Sequence, residues 1–426
     1  MRSPHRAVAC LGGIAAALLL AYLVAWRTTD DLHVGRADFT STYVGATLLR
    51  EGQGQRLYDE SLQSPLHARL IAPDTEGNLP FVNPPAAAAV ALPLTTLDLD
   101  TAYRLWSLLQ LLLLAAAVAI AVRAAPWPER TPRPLQVATG ALALAGVGSL
   151  SLLLLGQWDG LPALGLAAAY ASWRRGRMAT GGAWLGVTAA LAKPHLGLGL
   201  AALMIARRDR RLLAGAAAGV AAVAAACIVI AGPSGCANFV RIAVGSAGRW
   251  NLASMLGFTG LFGSWLGDGG MTHAVAALAT LVAVAACAAL GSAWRHSPRQ
   301  LEAALAGATA LSLVASPHLL GHDLTLLSPA AAWCLGAATG VDGAAVRWPG
   351  RAARRVLALW ALVNLAAAAD LGNGHGAPPG RLVPIALVAI GAAAWTACRP
   401  RLRRARAKML GTSYAGRGSG VGGVVE

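Results

Sequence analysis

The chain has 426 residues, of which 56% are hydrophobic and 13% are charged, against about 25% charged residues in an ordinary soluble domain. Its long apolar runs do not alternate with polar residues, which excludes a transmembrane β-barrel and predicts a polytopic helical membrane protein. The net charge of +16 would suit a nucleic-acid-binding protein, but the arginines cluster at the ends of apolar runs, so we expect no nucleic-acid partner.

The first predicted element is an uncleaved membrane helix at the start of the chain. Arg2 and Arg6 precede the apolar run 7–26, which is long enough to span and lacks a following cleavage site, so we expect a cytoplasmic N-terminus. Residues 27–82 then carry more acidic than basic side chains, which favours an extracytoplasmic loop. Within this loop the apolar spacing over 43–49 predicts a short amphipathic helix on the membrane surface.

Further apolar runs predict the remaining membrane helices. They cover about 84–97, 102–122, 135–155, 161–173, 179–206, 212–231, 273–294, 301–315, 324–338, 356–369 and 383–397. Together they predict a single domain, 1–398, with about ten to thirteen transmembrane helices. Residues 399–426 are basic and then rich in glycine, which predicts a disordered cytoplasmic tail.

The arginine clusters predict which helix ends face the cytoplasm. They lie at 174–177, 207–211, 295–299, 347–355 and 399–408. Residues 83–122 fit this orientation in two ways. Two crossings would place Arg123, Arg130 and Arg133 outside, whereas one crossing would make the part after Pro84 re-entrant.

Residues 179–206 leave a second choice open. The segment is basic at both ends and is interrupted at Lys193 by the following Pro194. Each half is too short to span alone. A hairpin that only partly enters the membrane is therefore one interpretation of this segment.

Five segments along most of the chain carry a family resemblance through their order and spacing. They are DFTSTYVGATLLREGQGQRLYD (38–59), NPPAAAAVALPLTTLDLDTAYRLWSLL (83–109), LLLGQWDGLPALGLAAAYASWRRGR (153–177), GGAWLGVTAALAKPHLGLGLAAL (181–203) and SPHLLGHDLTLLSP (316–329). The chain resembles glycosyltransferase family 87, polyprenyl-phosphate-mannose-dependent mannosyltransferases of the GT-C fold. Asn83 and His322 stand where that family often has an aromatic residue, which bears on the substrate more than on the fold.

The resemblance implies an inverting transfer of a hexose, mannose in this family, from a polyprenyl-phosphate donor to a lipid or glycan hydroxyl at the outer face of the cell membrane. In such enzymes an aspartate of the first outer loop is the general base, and Asp38 holds that position. The alternative for Asp38 is a helix N-cap. The chain has no Walker or Rossmann motif, so we expect no nucleotide-sugar donor and no cofactor besides the lipid-linked sugar.

Several other polar residues are candidates for binding the donor phosphate or the acceptor. Lys193 lies within an apolar run and would either hold the phosphate or extend to the headgroups. His318, His322 and Asp323 follow an apolar run and would bind phosphate, sugar or, as an alternative that we do not favour, a metal.

Three further residues complete the predicted site, again with simpler alternatives. Gln157 would contact substrate, as the resemblance implies, or form an ordinary tight turn with Asp159. Tyr43 and Arg249 are placed among the substrate- and phosphate-binding residues, although Arg249 would equally suit a solvated loop.

Two other functions use the same polar residues. A lipid or sugar transporter would need them in its pathway, but the chain shows no internal repeat and the polar residues collect on one face. A scaffold protein would use the polar loops for a partner. The ordered motifs at separate helix ends favour the enzyme over both.

Overall fold

The computed structural model describes residues 4–72, 79–245, 252–342, 345–373 and 381–414. Over these residues the fold is helical apart from a two-stranded antiparallel hairpin of β1 (Gly340–Asp342) and β2 (Ala345–Arg347), in which Gly340 pairs with Arg347. The predicted class of an all-α polytopic membrane protein is confirmed.

Eighteen α-helices follow one another along the described parts of the chain. They are α1 (Pro4–Arg27), α2 (Asp31–Arg36), α3 (Phe39–Arg50), α4 (Glu60–Ile71), α5 (Pro85–Ala91), α6 (Leu99–Ala124), α7 (Arg133–Leu144), α8 (Val147–Leu155), α9 (Gly160–Arg174), α10 (Met178–Ala192), α11 (Leu198–Arg207), α12 (Arg210–Gly245), α13 (Phe258–Leu266), α14 (Gly270–His296), α15 (Leu301–Val314), α16 (Leu327–Ala338), α17 (Arg351–Asn373) and α18 (Leu382–Tyr414). Short 3₁₀ turns lie at Gly54–Arg56, Leu92–Thr96, Pro194–Gly197, Leu252–Ser254, Pro298–Gln300 and Gly321–Leu326.

Fewer of these helices are long enough to cross a membrane than the ten to thirteen that the apolar runs predict. By length and composition five qualify among the described residues, namely α6, α12, α14, Val8–Arg27 of α1 and Arg351–Asp370 of α17. The bent pair α7 and α8, which meet at 53°, makes a sixth if it is one span. Other runs form helices such as α9 and α15, of 15 and 14 residues, which are shorter than the roughly 20 residues that a perpendicular span needs.

The helix bundle has two ends of opposite character. Arginines stand at or next to the last turns of α6, α9, α11 and α14, and we call this the basic end. Ring contacts join these termini, because Trp294 packs on Trp173 at 5.2 Å and Arg207 lies 5.0 Å above the Trp294 ring. The opposite end, which holds α3, the break after α10 and the turn before α16, is the cavity end.

Residues 83–122 cross the bundle once. The turn Leu92–Thr96 stays beside α3, where Tyr43 donates a hydrogen bond to the Leu97 carbonyl at 2.7 Å. Helix α6 then runs to the basic end, where the Ala124 carbonyl accepts from Tyr170. Arg123 therefore lies with the other arginines of the basic end, which agrees with the single-crossing alternative.

Helices α10 and α11 form the hairpin that was one interpretation of residues 179–206. Lys193 lies at its apex, and Met178 and Arg207 at its two feet border one cavity. The hairpin packs closely on α12, because a Cβ atom on Gly182 would come 2.1 Å from the Leu212 carbonyl oxygen. Small residues at this crossing are what allow the two backbones to approach.

The first loop differs from its prediction, and part of the C-terminal segment is helical. Nine of the twelve residues of α3 are buried, so this helix packs inside the loop and does not lie on the membrane surface. Its Phe39 and Tyr43 join an apolar cluster with Tyr103 and Trp106. At the other end of the chain α18 continues to Tyr414, so the backbone is helical over the first part of the segment predicted to be disordered.

Candidate functional site

A cavity of about 250 Å³ opens at the cavity end of the bundle. The first loop, the turn between α8 and α9, the hairpin apex, α12 and the segment between α15 and α16 all contribute to its wall. Six of the predicted site residues line it, namely Asp38, Gln157, Lys193, His318, His322 and Asp323. Segments that are far apart in sequence therefore meet in one place.

Asp38 does not cap α3. Its backbone is already helical, with φ −60° and ψ −23°, and its side chain makes no capping hydrogen bond. Instead its Oδ2 accepts a hydrogen bond from Gln157 Nε2, and 32% of its side chain remains exposed at the cavity. The carboxylate is thus oriented by a neighbour and still open to a ligand.

Gly156 positions Gln157 for that contact. It ends α8 in the left-handed conformation, with φ +60°, and a Cβ atom there would come 2.7 Å from Phe39 Cβ. A residue with a side chain would be strained at this φ and would also push α3 away. The glycine therefore lets the turn after α8 approach the residue that follows Asp38.

Four buried residues form a charge cluster behind Asp38, which we call the buried charge cluster: Asp159, Lys193, His322 and Asp323. Their side chains are between 0% and 9% exposed. Lys193 Nζ donates to Asp159 Oδ2 at 3.0 Å and to Asp323 Oδ1 at 2.7 Å. His322 Nδ1 lies 3.0 Å and 3.2 Å from the same two oxygens.

The atoms of this cluster alternate in charge. Each of the two carboxylate oxygens contacts both nitrogens, so the four atoms form a ring in which oxygens and nitrogens alternate. Lys193 Nζ and His322 Nδ1 lie across this ring from each other, and we interpret their 3.0 Å separation as a consequence of the shared oxygens and not as a hydrogen bond. With one ammonium and two carboxylates, the cluster is neutral only if His322 is protonated. Buried charges that are not balanced are costly, so the protonated imidazole is the stable form.

The pKa of His322 agrees with this charge balance. Burial and the Lys193 ammonium would lower it, but the carboxylates of Asp323 and Asp159 outweigh them and raise the pKa of His322 to about 9. For Asp323 burial acts in the opposite direction, and the Lys193 and His322 cations hold its pKa well below the ordinary value. We therefore treat His322 as a cation at neutral pH.

His322 connects the buried charge cluster to Asp38. Its Nε2 is buried, has no hydrogen-bond partner among the described residues, and lies 4.0 Å from Asp38 Oδ2. This separation is too long for a hydrogen bond but short for an attraction between opposite charges in a shielded site. The imidazolium and the Asp38 carboxylate therefore attract each other across this gap.

The metal alternative does not fit this geometry. One oxygen of Asp159, one of Asp323 and a nitrogen of His322 lie within 4.8 Å of one another, as metal ligands would. However, Lys193 Nζ lies within 3.0 Å of all three groups and supplies the positive charge there. His318, the other predicted ligand, faces the ring of His195 instead, at a centroid distance of 6.2 Å.

Tyr43 is not found in the cavity wall. Tyr43 is 7% exposed and uses its hydroxyl to hold the Leu97 carbonyl, so the structure places it in the core of the first loop. Arg249 lies outside the described residues. Asp159, in contrast, was assigned to a tight turn and proves to be fully buried against Lys193.

A signal for Asp159 was present in the sequence. A lysine inside an apolar run requires a counter-ion, and acidic residues within apolar surroundings are few in this chain. Pairing Lys193 with the aspartate of the turn after α8 would have predicted the contact, although not its distance.

The comparisons with known proteins give one match. The model of glycosyltransferase family 87 matches residues 81–317, which is more than half of the chain. The matched range includes Gln157, Asp159 and Lys193, whereas Asp38 precedes it and His322 follows it. No curated protein and no solved structure matches the chain.

Proposed function

Because the chain belongs to glycosyltransferase family 87 and is thus a membrane glycosyltransferase, we propose that it moves a hexose from a polyprenyl-phosphate donor to a hydroxyl of a lipid or glycan acceptor. The family resemblance favours mannose as the sugar. Transfer occurs by a single displacement, which inverts the anomeric centre and needs one base but no covalent intermediate.

The observation that carries this proposal is the placement of Asp38. Its carboxylate is partly exposed in the cavity, is oriented by Gln157 and faces the His322 cation. In the reaction the acceptor oxygen bonds to the anomeric carbon, and Asp38 takes the proton of that hydroxyl. The bond from the anomeric carbon to the phosphate oxygen breaks, and the electron pair leaves with the polyprenyl phosphate.

We assign Lys193 a positioning role, whereas the sequence predicts a direct contact with the phosphate. Its ammonium already has two carboxylate partners, so it serves to hold Asp159, Asp323 and His322 in place. We assign the contact with the leaving phosphate to the cavity wall that carries His318. Protein groups that meet developing negative charge there would lower the barrier.

The apolar part of the wall suits a lipid carrier. Leu79, Val82, Phe239, Met255 and Leu320 line the same cavity as the charged residues. An isoprenoid chain could lie against them while its phosphate reaches the polar side. By the positive-inside rule the basic end is cytoplasmic, so the cavity faces the outer side of the cell membrane.

A transfer assay with different sugar donors tests the proposal. Purified protein in proteoliposomes receives radiolabelled polyprenyl-phosphate mannose, polyprenyl-phosphate glucose or GDP-mannose, with a lipid extract of the native host as acceptor. We expect a labelled product from a lipid-linked donor only. A product from GDP-mannose alone would overturn the donor assignment, and movement of the donor across the bilayer without product would favour the transporter.

The protonation of His322 predicts a loss of activity at high pH. Its pKa is about 9 in the folded protein and about 6.5 without the fold, so its stabilising contribution is complete below about pH 6.5 and is lost as the pH rises through about 9. Initial rates and thermal unfolding between about pH 6 and 10 should therefore both decline at the alkaline end.

The matched variants separate this effect from general alkaline inactivation. His322→Gln should have a lower rate than the parent at neutral pH. Its rate should no longer show the alkaline decline that we attribute to His322. His33 is an exposed histidine of the first loop, and His33→Gln should keep the parent profile. An unchanged profile in His322→Gln would contradict the assignment.

A further inference from the structure

A second charged cavity lies at the basic end of the bundle, opposite the candidate active site. It is a shallow depression that is largely open to solvent. Five arginines line it, together with Met178 and Asp209: Arg207, Arg208, Arg210, Arg211 and Arg295. The first four come from the connection between α11 and α12, and the fifth from the end of α14.

The local backbone brings these arginines together. Arg208 adopts the left-handed conformation, with φ 56°, which lets α12 begin after only two residues, Arg208 and Asp209, have followed the end of α11. Asp209 Oδ1 accepts hydrogen bonds from the backbone amides of Arg211 and Leu212, at 3.0 Å and 3.2 Å. The single carboxylate among the lining residues therefore accepts hydrogen bonds from the start of α12, and five arginines line the same site.

Arg207 gives the clearest indication of an anion-binding site. Its guanidinium is held over the ring of Trp294, which is 2% exposed. Its Nε atom is buried and has no hydrogen-bond partner among the described residues. An anion that accepts from this donor would remove the cost of leaving it unsatisfied and would reduce the repulsion among the neighbouring cations.

We propose that this arginine cavity binds the phosphate of an anionic phospholipid from the adjacent leaflet. Guanidinium groups bind phosphate oxygens in pairs of hydrogen bonds, and basic pockets at the ends of membrane helices meet lipid headgroups directly. Met178 lines the same site and offers an apolar side chain beside the guanidinium groups. The ligand is thus a phosphate diester attached to an apolar tail.

Binding there would also affect the hairpin of α10 and α11. The cavity joins Met178 and Arg207 at the two feet of the hairpin to Arg295 on α14, while Lys193 lies at the hairpin apex. A phosphate that bridges these segments would remove the repulsion among the arginines. The lipid would therefore stabilise the element that carries part of the active site.

The test compares two double variants with equal loss of charge. Arg207→Gln/Arg295→Gln alters the cavity, whereas Arg130→Gln/Arg175→Gln removes two exposed arginines of the basic end that do not line it. Each protein is placed in mixed micelles with phosphatidylglycerol or phosphatidylcholine. Native mass spectrometry then measures the retained lipid, and thermal unfolding measures the stabilisation.

We expect the parent and the Arg130/Arg175 variant to retain phosphatidylglycerol and to unfold at higher temperature with it. The Arg207/Arg295 variant should bind it at least about tenfold more weakly. If it does not fold, Arg207→Lys/Arg295→Lys decides, because it keeps the charge and loses the paired hydrogen bonds. Equal losses in both double variants, or an equal effect of inorganic phosphate at the same concentration, would overturn the proposal.

Discussion

Asp38→Asn should abolish sugar transfer while leaving the fold and donor binding unchanged. The amide has the shape of the carboxylate but cannot accept the proton of the acceptor hydroxyl. Asp38 makes no capping bond to α3, and a carbonyl oxygen at this position can still accept from Gln157 Nε2. Loss of a general base costs about 10²- to 10⁴-fold in rate, which brings transfer to the detection limit of a radiolabel assay.

A matched control for this variant lies in the same loop. Asp59 is a carboxylate that caps α4 and pairs with Arg56, outside the cavity. Asp59→Asn should therefore transfer at nearly the parent rate. Transfer at the parent rate in Asp38→Asn, with donor binding equal in both proteins, would place the base elsewhere in the cavity.

Lys193→Met should be the most destabilising single substitution in the site. It leaves the carboxylates of Asp159 and Asp323 buried with only the His322 cation to balance them. Breaking a buried ion pair by removing one partner costs about 3 to 5 kcal/mol. The loss is measured as a drop in unfolding temperature in detergent and in the yield of folded protein.

The double variant Lys193→Met/Asp159→Asn tests the origin of that loss. It removes one charge of each sign, so the remaining His322 and Asp323 again balance. We expect the double variant to be more stable than Lys193→Met, with a coupling of about 1 to 3 kcal/mol. Additive single effects would show that the cluster is not coupled as the distances indicate.

Transfer rates of the same variants distinguish two roles of Lys193. If Lys193 only positions its neighbours, the double variant should recover part of the activity together with the stability. If its ammonium contacts the donor phosphate directly, stability should return while transfer remains absent. The second outcome would restore the role that the sequence suggests for this lysine.

Most candidate residues could be identified from sequence because unusual residues in apolar surroundings are visible there. Lys193 interrupts an apolar run, and His322 and Asp323 follow another. Each is recognisable because an ionisable residue in apolar surroundings is energetically costly. Tyr43 did not stand out in this way and was placed in the site, although it packs in the core of the first loop. For an aromatic residue beside a polar loop, burial and ligand contact have the same local pattern.

Hydropathy and charge are properties of each segment, so a helical membrane protein with one basic end and a polar opposite end can be predicted from sequence. The three-dimensional fold was needed to show that residues 83–122 cross once, that α10 and α11 form a hairpin, and that Asp159 is the partner of Lys193. The single crossing and the partner of Lys193 depend on contacts between residues more than 30 positions apart, such as the 34 positions between Asp159 and Lys193. The charge balance in such a contact depends on residues from several segments, so it cannot be predicted from any one segment alone.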